Sequence, residues 1–595
     1  MRRRQPPPTP RHGERQLALP HSRTLFARVA LVRIGAELVP GGVRFRVWAP
    51  GHRDVAVVID GRDFALQREE RGYFSTVVEG AKAGTRYQFR LADGDYPDPA
   101  SRFQPDGPHG ESEVIDPAFE WRPWRGMDRK NAVLYEMHVG TFTKEGTYAA
   151  AMQHLPKLAD LGITILELMP VSEFPGAFGW GYDGVDLYAP TRLYGRPDDL
   201  RRFVDEAHAH GLGVILDVVY NHVGPDGNYL KQFTPHYFSE KYENEWGEPM
   251  NFDGEEAHGV REFIAGNAAY WVEEFHFDGL RIDATQSMFD ASEKHILREI
   301  RERVRGALLV AENEPQDTRL LREHGLDALW NDDWHHTARV AATGFTEAYY
   351  TDYEGKAREL ASMATSGFLY QGQWYRWQKK RRGTPSRDIA PERLVCYLQN
   401  HDQIANSATG ERLHQLTSRR RLHALTALLL LQPQTPMLFQ GQEFGAKSPF
   451  LYFADHHEEL AKKVRDGRRE FLEQFPSIKG RELAAPEERR TFERCKLDHD
   501  DRDADLERLH RELLALRREQ PFDGELRASA HGDECLVLRW FADGARDRLL
   551  IVNYGEPRTI EPQSDPLLAP PPGFERWARV WATSDDAAVL SKPTA

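Results

Sequence analysis

Eight times between Val133 and Gly445 a short apolar run is followed by a loop that opens on polar residues and then, in most cases, by a stretch of helical character. The runs lie in "VLYEMHVGTF", "ITILELMPV", "LGVILDVVYNH", "FDGLRIDA", "ALLVAENE", "LDALWNDD", "ERLVCYLQNHD" and "TPMLFQGQEFG". They are apolar at nearly every core position, the pattern of strands covered on both faces, and such strands form parallel sheets joined by crossover helices. Helical character appears near Ala150 to Asp160, around Val260 to Glu274, and in "HILREIRERV" and "DTRLLREHG". In "DDLRRFVDEAHAHG", Leu200, Phe203, Val204 and Ala207 share one helical face. Eight β–α units in series predict an α/β protein built on a (β/α)8 barrel, with its active site at the C-terminal ends of the strands.

The flanks follow a different rhythm. From about Gly35 to Pro117, "VRFRVWAP", "DVAVVID" and "TRYQFRL" alternate as strands do, and alternation returns from about Leu526 in "CLVLRWFADG" and "RLLIVNYG". The expected organisation is a disordered leader over 1–34, an N-terminal β-sandwich over 35–120, the barrel over 121–500, and a linking helix with a C-terminal β-sandwich over 501–595. The opening "MRRRQPPPTPRHGERQLALP" is basic and proline-rich and lacks the apolar segment of a signal peptide. A formal charge of -14 argues against nucleic acid as a partner. The longest apolar run, "ALTALLLL" from Ala424 to Leu431, is too short to span a bilayer and reads as a buried helix, so no membrane partner is expected. Cys396, Cys495 and Cys535 are far apart in no metal-ligand spacing, which excludes a zinc site and a disulfide framework and points to the cytoplasm. The acidic stretch "LDHDDRDADLE" has no evident role.

Polar residues at the strand ends are the functional candidates. In "HFDGLRIDAT", Arg281 and Asp283 stand two apart and project from the same side of the strand. An arginine beside an aspartate favours the ionised form that a carboxylate nucleophile needs, although a structural ion pair would look the same. Asp278 reads as a turn or cap. At the next strand end Glu312 follows an apolar run, where desolvation would let it hold a proton as a general acid; Glu314 is its rival. The third strand ends on Asp217 and His222, with Asn221 reading as a turn or cap residue, and the seventh on His401, Asp402 and Gln403. Trp180 and Tyr182, in the Gly-rich segment after strand two, either stack on a sugar or cover the rim. Carboxylates with opposite tuning are the apparatus of glycoside hydrolysis.

In order, "GYDGVDLYAP", "DVVYNH", "GLRIDA", "VAENE" and "QNHDQ" resemble the signature segments of the α-amylase superfamily of glycoside hydrolases, and the match spans the barrel. The resemblance implies that Asp283 is the nucleophile, Glu312 the acid/base, and Asp402 the carboxylate that binds sugar hydroxyls. It also implies that Tyr182, His222, Arg281 and His401 line the subsite of the cleaved glucose, with Asp217 and Gln403 as further binding residues. More specific segments, among them "DPASRFQPDGPHG", "YNHVGPDGNYL", "LWNDDWHH" and "FLYQGQWYRWQKKRRG", resemble the malto-oligosyltrehalose trehalohydrolases within that superfamily. This implies retaining cleavage of the α-1,4 bond beside the terminal trehalose unit of maltooligosyltrehalose, with that compound or a related α-1,4-glucan oligosaccharide as partner. A general α-amylase or a branching enzyme is the alternative, although a branching enzyme should read Ser-His-Asp-Glu where this chain has "NHDQ". A non-catalytic relative should lack one of the three acids. A trehalose-releasing site needs a closed leaving-group side. The long loop after strand three is one candidate wall, and the end of strand six is the other, where Asp332, Asp333 and His335 are expected to hydrogen-bond the terminal sugar. No cofactor and no catalytic metal are expected; a structural calcium near Asn221, carried by several superfamily members, is left open. The N-terminal sandwich resembles those of glycogen-acting relatives and is expected to pack on the barrel.

Overall fold

The computed structural model describes residues 33–520, 522–561 and 565–595, so the expected leader lies almost entirely outside the described residues. Near the N-terminus, strands Gly35–Val39, Gly42–Trp48, Tyr73–Glu79 and Gln67–Arg68 form one antiparallel sheet, and a second sheet contains Ala56–Ile59 and Arg86–Arg90. Together they make the expected sandwich.

The eight apolar runs are all strands, and they close into a parallel barrel. In chain order they are β1 (Leu134–Met137), β2 (Ile165–Leu168), β3 (Gly213–Val218), β4 (Gly279–Ile282), β5 (Leu308–Ala311), β6 (Ala328–Trp330), β7 (Leu394–Tyr397) and β8 (Thr435–Phe439). The final contact is between β8 and β1, with Met437 opposite Leu134. Side chains alternate along each strand, so every second residue enters the barrel. Leu134, Ile165, Ile215, Val310, Trp330 and Met437 belong to one apolar cluster inside it. Two residues further along β1, β2 and β3 stand Glu136, Glu167 and Asp217, and the same step from Val310 and Trp330 reaches Glu312 and Asp332. The barrel interior is thus apolar toward its base and lined with carboxyl groups toward its mouth.

At the C-terminus one expectation is corrected. The described residues form a single five-stranded antiparallel sheet, in the order Glu525–Ala530, Cys535–Phe541, Arg548–Asn553, Ala588–Thr594, Arg576–Ala582, not a sandwich. Alternation predicted strands but not what lies against their faces. Leu536, Leu538, Leu550 and Val552 join the main core, with helices Ala357–Ser366 and Arg419–Leu431 packed against these strands. Val537 and Leu549 on the other face are covered by Ile560, Leu567 and Leu568. The acidic stretch also gains a role. Asp503 caps helix Ala504–Glu519, accepting from the N–H groups of Asp505 at 3.0 Å and Leu506 at 3.1 Å, while Arg419 donates to it at 2.7 Å. Asp501 receives Lys447 at 2.8 Å. Among the described residues no helix is long and apolar enough to cross a membrane.

Specific contacts dock the N-terminal module on the barrel. Arg102 is held against the rings of Tyr188 and Tyr270 at 4.7 and 4.6 Å, and Tyr73 donates to Glu262 at 3.0 Å. The Trp48 indole lies over Gly259 of helix Ala257–Glu274, where a Cβ would come within 2.2 Å of Cε2. Gly259→Ala should therefore lower stability by about 1–3 kcal/mol through overpacking, although alanine is the better helix former by up to about 1 kcal/mol. Thermal unfolding checks this; a variant more stable than the parent would show that the indole does not sit on this helix.

Candidate active site

Arg281, fully buried on β4, is the centre of the mouth. One nitrogen, Nη1, donates to both oxygens of Asp217 at 2.9 and 2.8 Å and to Oδ1 of Asp283 at 2.8 Å; Nη2 lies 3.2 Å from Oε2 of Glu312. Its guanidinium carbon stands 4.3 Å from the Trp330 ring centroid. Asp283 has a second anchor in Asn221, whose amide donates to Oδ2 at 2.9 Å. The Asn221 side-chain Oδ1 accepts from His222 Nδ1 at 2.5 Å. Both ends of the Asn221 amide are thus engaged, and no cluster of three or more acidic, histidine or cysteine ligands occurs among the described residues.

Glu312 follows β5 and keeps 21% of its side-chain exposure. Its Oε2 accepts the N–H of Ala284 at 2.7 Å, and this requires the turn after β4 to place Ala284 at φ 38°, a left-handed conformation uncommon for alanine. Burial raises the Glu312 pKa to about 8, with Arg281 opposing and Asp283, Asp402 and Asp332 reinforcing the shift. The mouth therefore holds a protonated glutamic acid and an arginine-bound aspartate on opposite arms of one guanidinium. Burial likewise lifts Asp217 to about 6.

Across the mouth, Tyr182 donates to Asp217 at 2.6 Å, stacks on the His401 ring at 5.2 Å, and meets His401 Nε2 at 2.9 Å. Gly181 makes the loop possible, since at φ 98° a Cβ would lie 2.3 Å from the Pro170 carbonyl oxygen. Trp180 belongs to the rim, 4% exposed and donating to the Leu451 carbonyl at 3.0 Å. His401 and Asp402 open a short helix capped by Asn400, and Asp402 is the most open acid, its side chain 44% exposed. Gln403 points back into the protein, accepting from Tyr349 at 2.9 Å and Tyr350 at 2.8 Å.

The wall at β6 corrects the sequence reading. Asp332, with Tyr397 donating to it, is partly open. Asp333 is fully buried and accepts from Tyr353 at 2.7 Å, Arg382 at 3.1 Å and the N–H of Tyr370 at 2.7 Å, so it anchors the hairpin of Gln373–Tyr375 and Lys380–Arg382 instead of facing a sugar. His335 is 1% exposed, stacks on Tyr397, and is kept neutral by burial, which lowers its pKa to about 3. Both turn inward because they follow Asp332 onto helix Asp332–Thr343, where a period of 3.6 replaces the period of two. Glu314, the rival acid, is taken by Arg382 and by Gln378 at 2.8 Å. Asp278 lies at the opposite end of β4, not in a simple cap: Trp124 and His208 bind its two oxygens at 2.7 and 2.9 Å. Sequence reasoning passed over Glu136 and Glu167, though each is a lone acid in an apolar strand, the same signal that marked Arg281.

The chain matches the alpha amylase catalytic domain over residues 135–251, carbohydrate-binding module 48, the isoamylase N-terminal domain, over 33–117, and a domain of unknown function, DUF3459, over 523–591. It is 42% identical over 543 residues to malto-oligosyltrehalose trehalohydrolase from Deinococcus radiodurans, covering 88% of this chain and 90% of that protein. Identity to the protein of that name from Saccharolobus solfataricus is also 42%, over 73% of this chain and 79% of that one. A crystal structure of a Salmonella typhimurium protein assigned to the alpha amylases superimposes with a TM-score of 0.85 at 36% identity, over 94% of this chain and 99% of that one. The chain belongs to the malto-oligosyltrehalose trehalohydrolase family, glycoside hydrolases built on the α-amylase barrel.

Proposed function

We propose that this protein hydrolyses the α-1,4 bond joining a maltooligosyl chain to its terminal trehalose unit, with retention of configuration. The observation that carries the reading is the single guanidinium of Arg281, shared by Asp283 and Glu312. Glu312 gives its proton to the glycosidic oxygen as that bond breaks, and trehalose leaves. Asp283 forms a bond to the anomeric carbon and so carries the maltooligosyl chain as an ester. Glu312, now ionised, takes a proton from water, whose oxygen attacks the same carbon and frees Asp283. Asp402, open at the rim, binds hydroxyls of the sugar being distorted, while Tyr182, His222 and His401 line its subsite and Asp217 holds Arg281 and Tyr182 in place. Gln403 supports the short helix behind Asp402. No step passes through a metal or cofactor.

Selection for trehalose is assigned to the walls. The loop after β3 reaches the mouth beside His222, since Asn244 donates to the Asn221 carbonyl at 3.3 Å, and it carries Trp246 with 59% of its surface exposed. The hairpin anchored by Asp333 and Glu314 presents Trp374 at 58% exposure and Trp377 at 40%. Exposed indoles beside a cleft offer flat apolar faces to pyranose rings. Asp332, partly open, is the polar group that this wall offers to the leaving sugar.

If a trehalose end satisfies groups that a maltose end leaves unpaired, kcat/KM should favour maltooligosyltrehalose over a maltooligosaccharide of equal length by on the order of 10- to 100-fold. Equal values would return the protein to general amylase activity. The rate should also fall as pH rises through about 8, because the required form of Glu312 is the protonated one and its raised pKa keeps the proton through neutrality. Glu312→Gln should remove this alkaline limb together with most of the activity; an unchanged limb would exclude Glu312 as the acid.

A further inference from the structure

Beneath the cleft two buried glutamates on neighbouring strands stand in register, Glu136 of β1 opposite Glu167 of β2. Glu136 has a defined partner. Its Oε1 lies 2.5 Å from Nδ1 of His401, and its Oε2 accepts the backbone N–H of His401 at 3.1 Å. Neither oxygen of Glu167 has a hydrogen-bond partner among the described residues.

The hydrogen bonds fix the protons on His401. Tyr182 has one hydroxyl proton and gives it to Asp217, so toward His401 Nε2, at 2.9 Å, its oxygen must accept. Nε2 therefore carries a hydrogen. A carboxylate can only accept, so Nδ1, facing Glu136, carries one as well. We propose that Glu136 is a positioning residue that holds His401 as an imidazolium, with Nδ1–H anchored below and Nε2–H turned toward the cleft. This cation makes Tyr182 a one-way relay to Asp217 and offsets the negative charge of Asp402, whose Oδ2 is 3.7 Å from Nε2.

Energetics agree. Burial alone would discharge His401, yet Glu136 and then Asp402 outweigh it and raise its pKa to about 9, with Arg281 opposing. His138, on the segment after β1, is lowered to about 4 by burial, with the charge of His401 adding to the effect, so it stays neutral beside the imidazolium. Burial, with Glu136 adding to it, holds the Glu167 pKa well above the usual range, so Glu167 keeps its proton. One of the two acids serves His401 as an anion and the other is already neutral.

The assignment rests on the proposed reaction for its kinetic test. In Glu136→Gln, His401 loses its partner charge and becomes neutral above about pH 6.5. The alkaline limb should then move below that of the parent by more than one pH unit, and kcat at pH 7.5 should fall by about tenfold or more. Glu167→Gln, an equally buried change to a group already neutral, should keep kcat within about threefold of the parent. In a His401→Gln background, Glu136→Gln should no longer move the limb. A Glu136→Gln variant with the parent's pH profile, or Glu167→Gln impaired to the same degree, would overturn the assignment. A readout free of turnover covers variants that fold poorly. With histidine-selective 15N labelling of the full-length parent, assigned by loss of signal in His401→Gln, both His401 nitrogens should be protonated at pH 8. A single protonated nitrogen there would refute the imidazolium even if the hydrolysis is as proposed, and two with no hydrolysis would refute only the reaction.

Discussion

The guanidinium of Arg281 is the interaction on which the rest of the site depends. A fully buried cation in a barrel core costs several kcal/mol unless it is surrounded by partners. Here it is met by Asp217 from β3, Asp283 at the end of its own strand, Glu312 from β5 and the face of Trp330 from β6. These come from separate β–α units, so the ion can be satisfied only when the barrel has closed in the correct register. The arrangement that makes the charge tolerable also sets the arginine-bound Asp283 and a protonated Glu312 around one guanidinium.

Other features maintain that geometry. The left-handed turn at Ala284 delivers an N–H to Glu312, Asn221 holds the free oxygen of Asp283, and Tyr182 steadies Asp217 from above. Further out, Arg382 joins Asp333 and Glu314 and so ties the tryptophan-bearing hairpin to the ends of β5 and β6. The N-terminal module packs on helix Ala257–Glu274, which leads directly into β4, the strand of Arg281.

The barrel was legible in sequence because strands covered on both faces leave continuous apolar runs, and a charge that interrupts such a run stands out. Arg281, Asp283, Asp217 and Glu312 were all readable in that way. Glu136 and Glu167 carry the same mark at the same position of their strands as Arg281, but neither has a second charged residue at the strand end beside it, as Arg281 has in Asp283, and they were missed. Asp333 and His335 were misread for the opposite reason: they sit at a strand end, yet the helix begins at Asp332 and turns them inward. At the C-terminus, alternation suggested a sandwich, but only tertiary structure shows that helices and a short apolar segment, not a second sheet, cover the strands. That Glu312 keeps its proton was legible in the apolar run before it, since burial is the largest cause of its raised pKa; the smaller contributions of Arg281, Asp283, Asp402 and Asp332 were not, because distant strands bring them together.

The central claim is that one buried arginine brings Asp283 and Glu312 close enough for attack by the carboxylate itself, with no water between nucleophile and sugar. Retaining sites hold the two carboxyls roughly 5–5.5 Å apart and inverting sites roughly 6.5–9.5 Å. The most direct test is proton NMR of the newly formed reducing end during the first minutes of maltooligosyltrehalose hydrolysis, before mutarotation. The α-anomer should appear first and the β-anomer only as equilibration proceeds; initial release of the β-anomer would contradict the account.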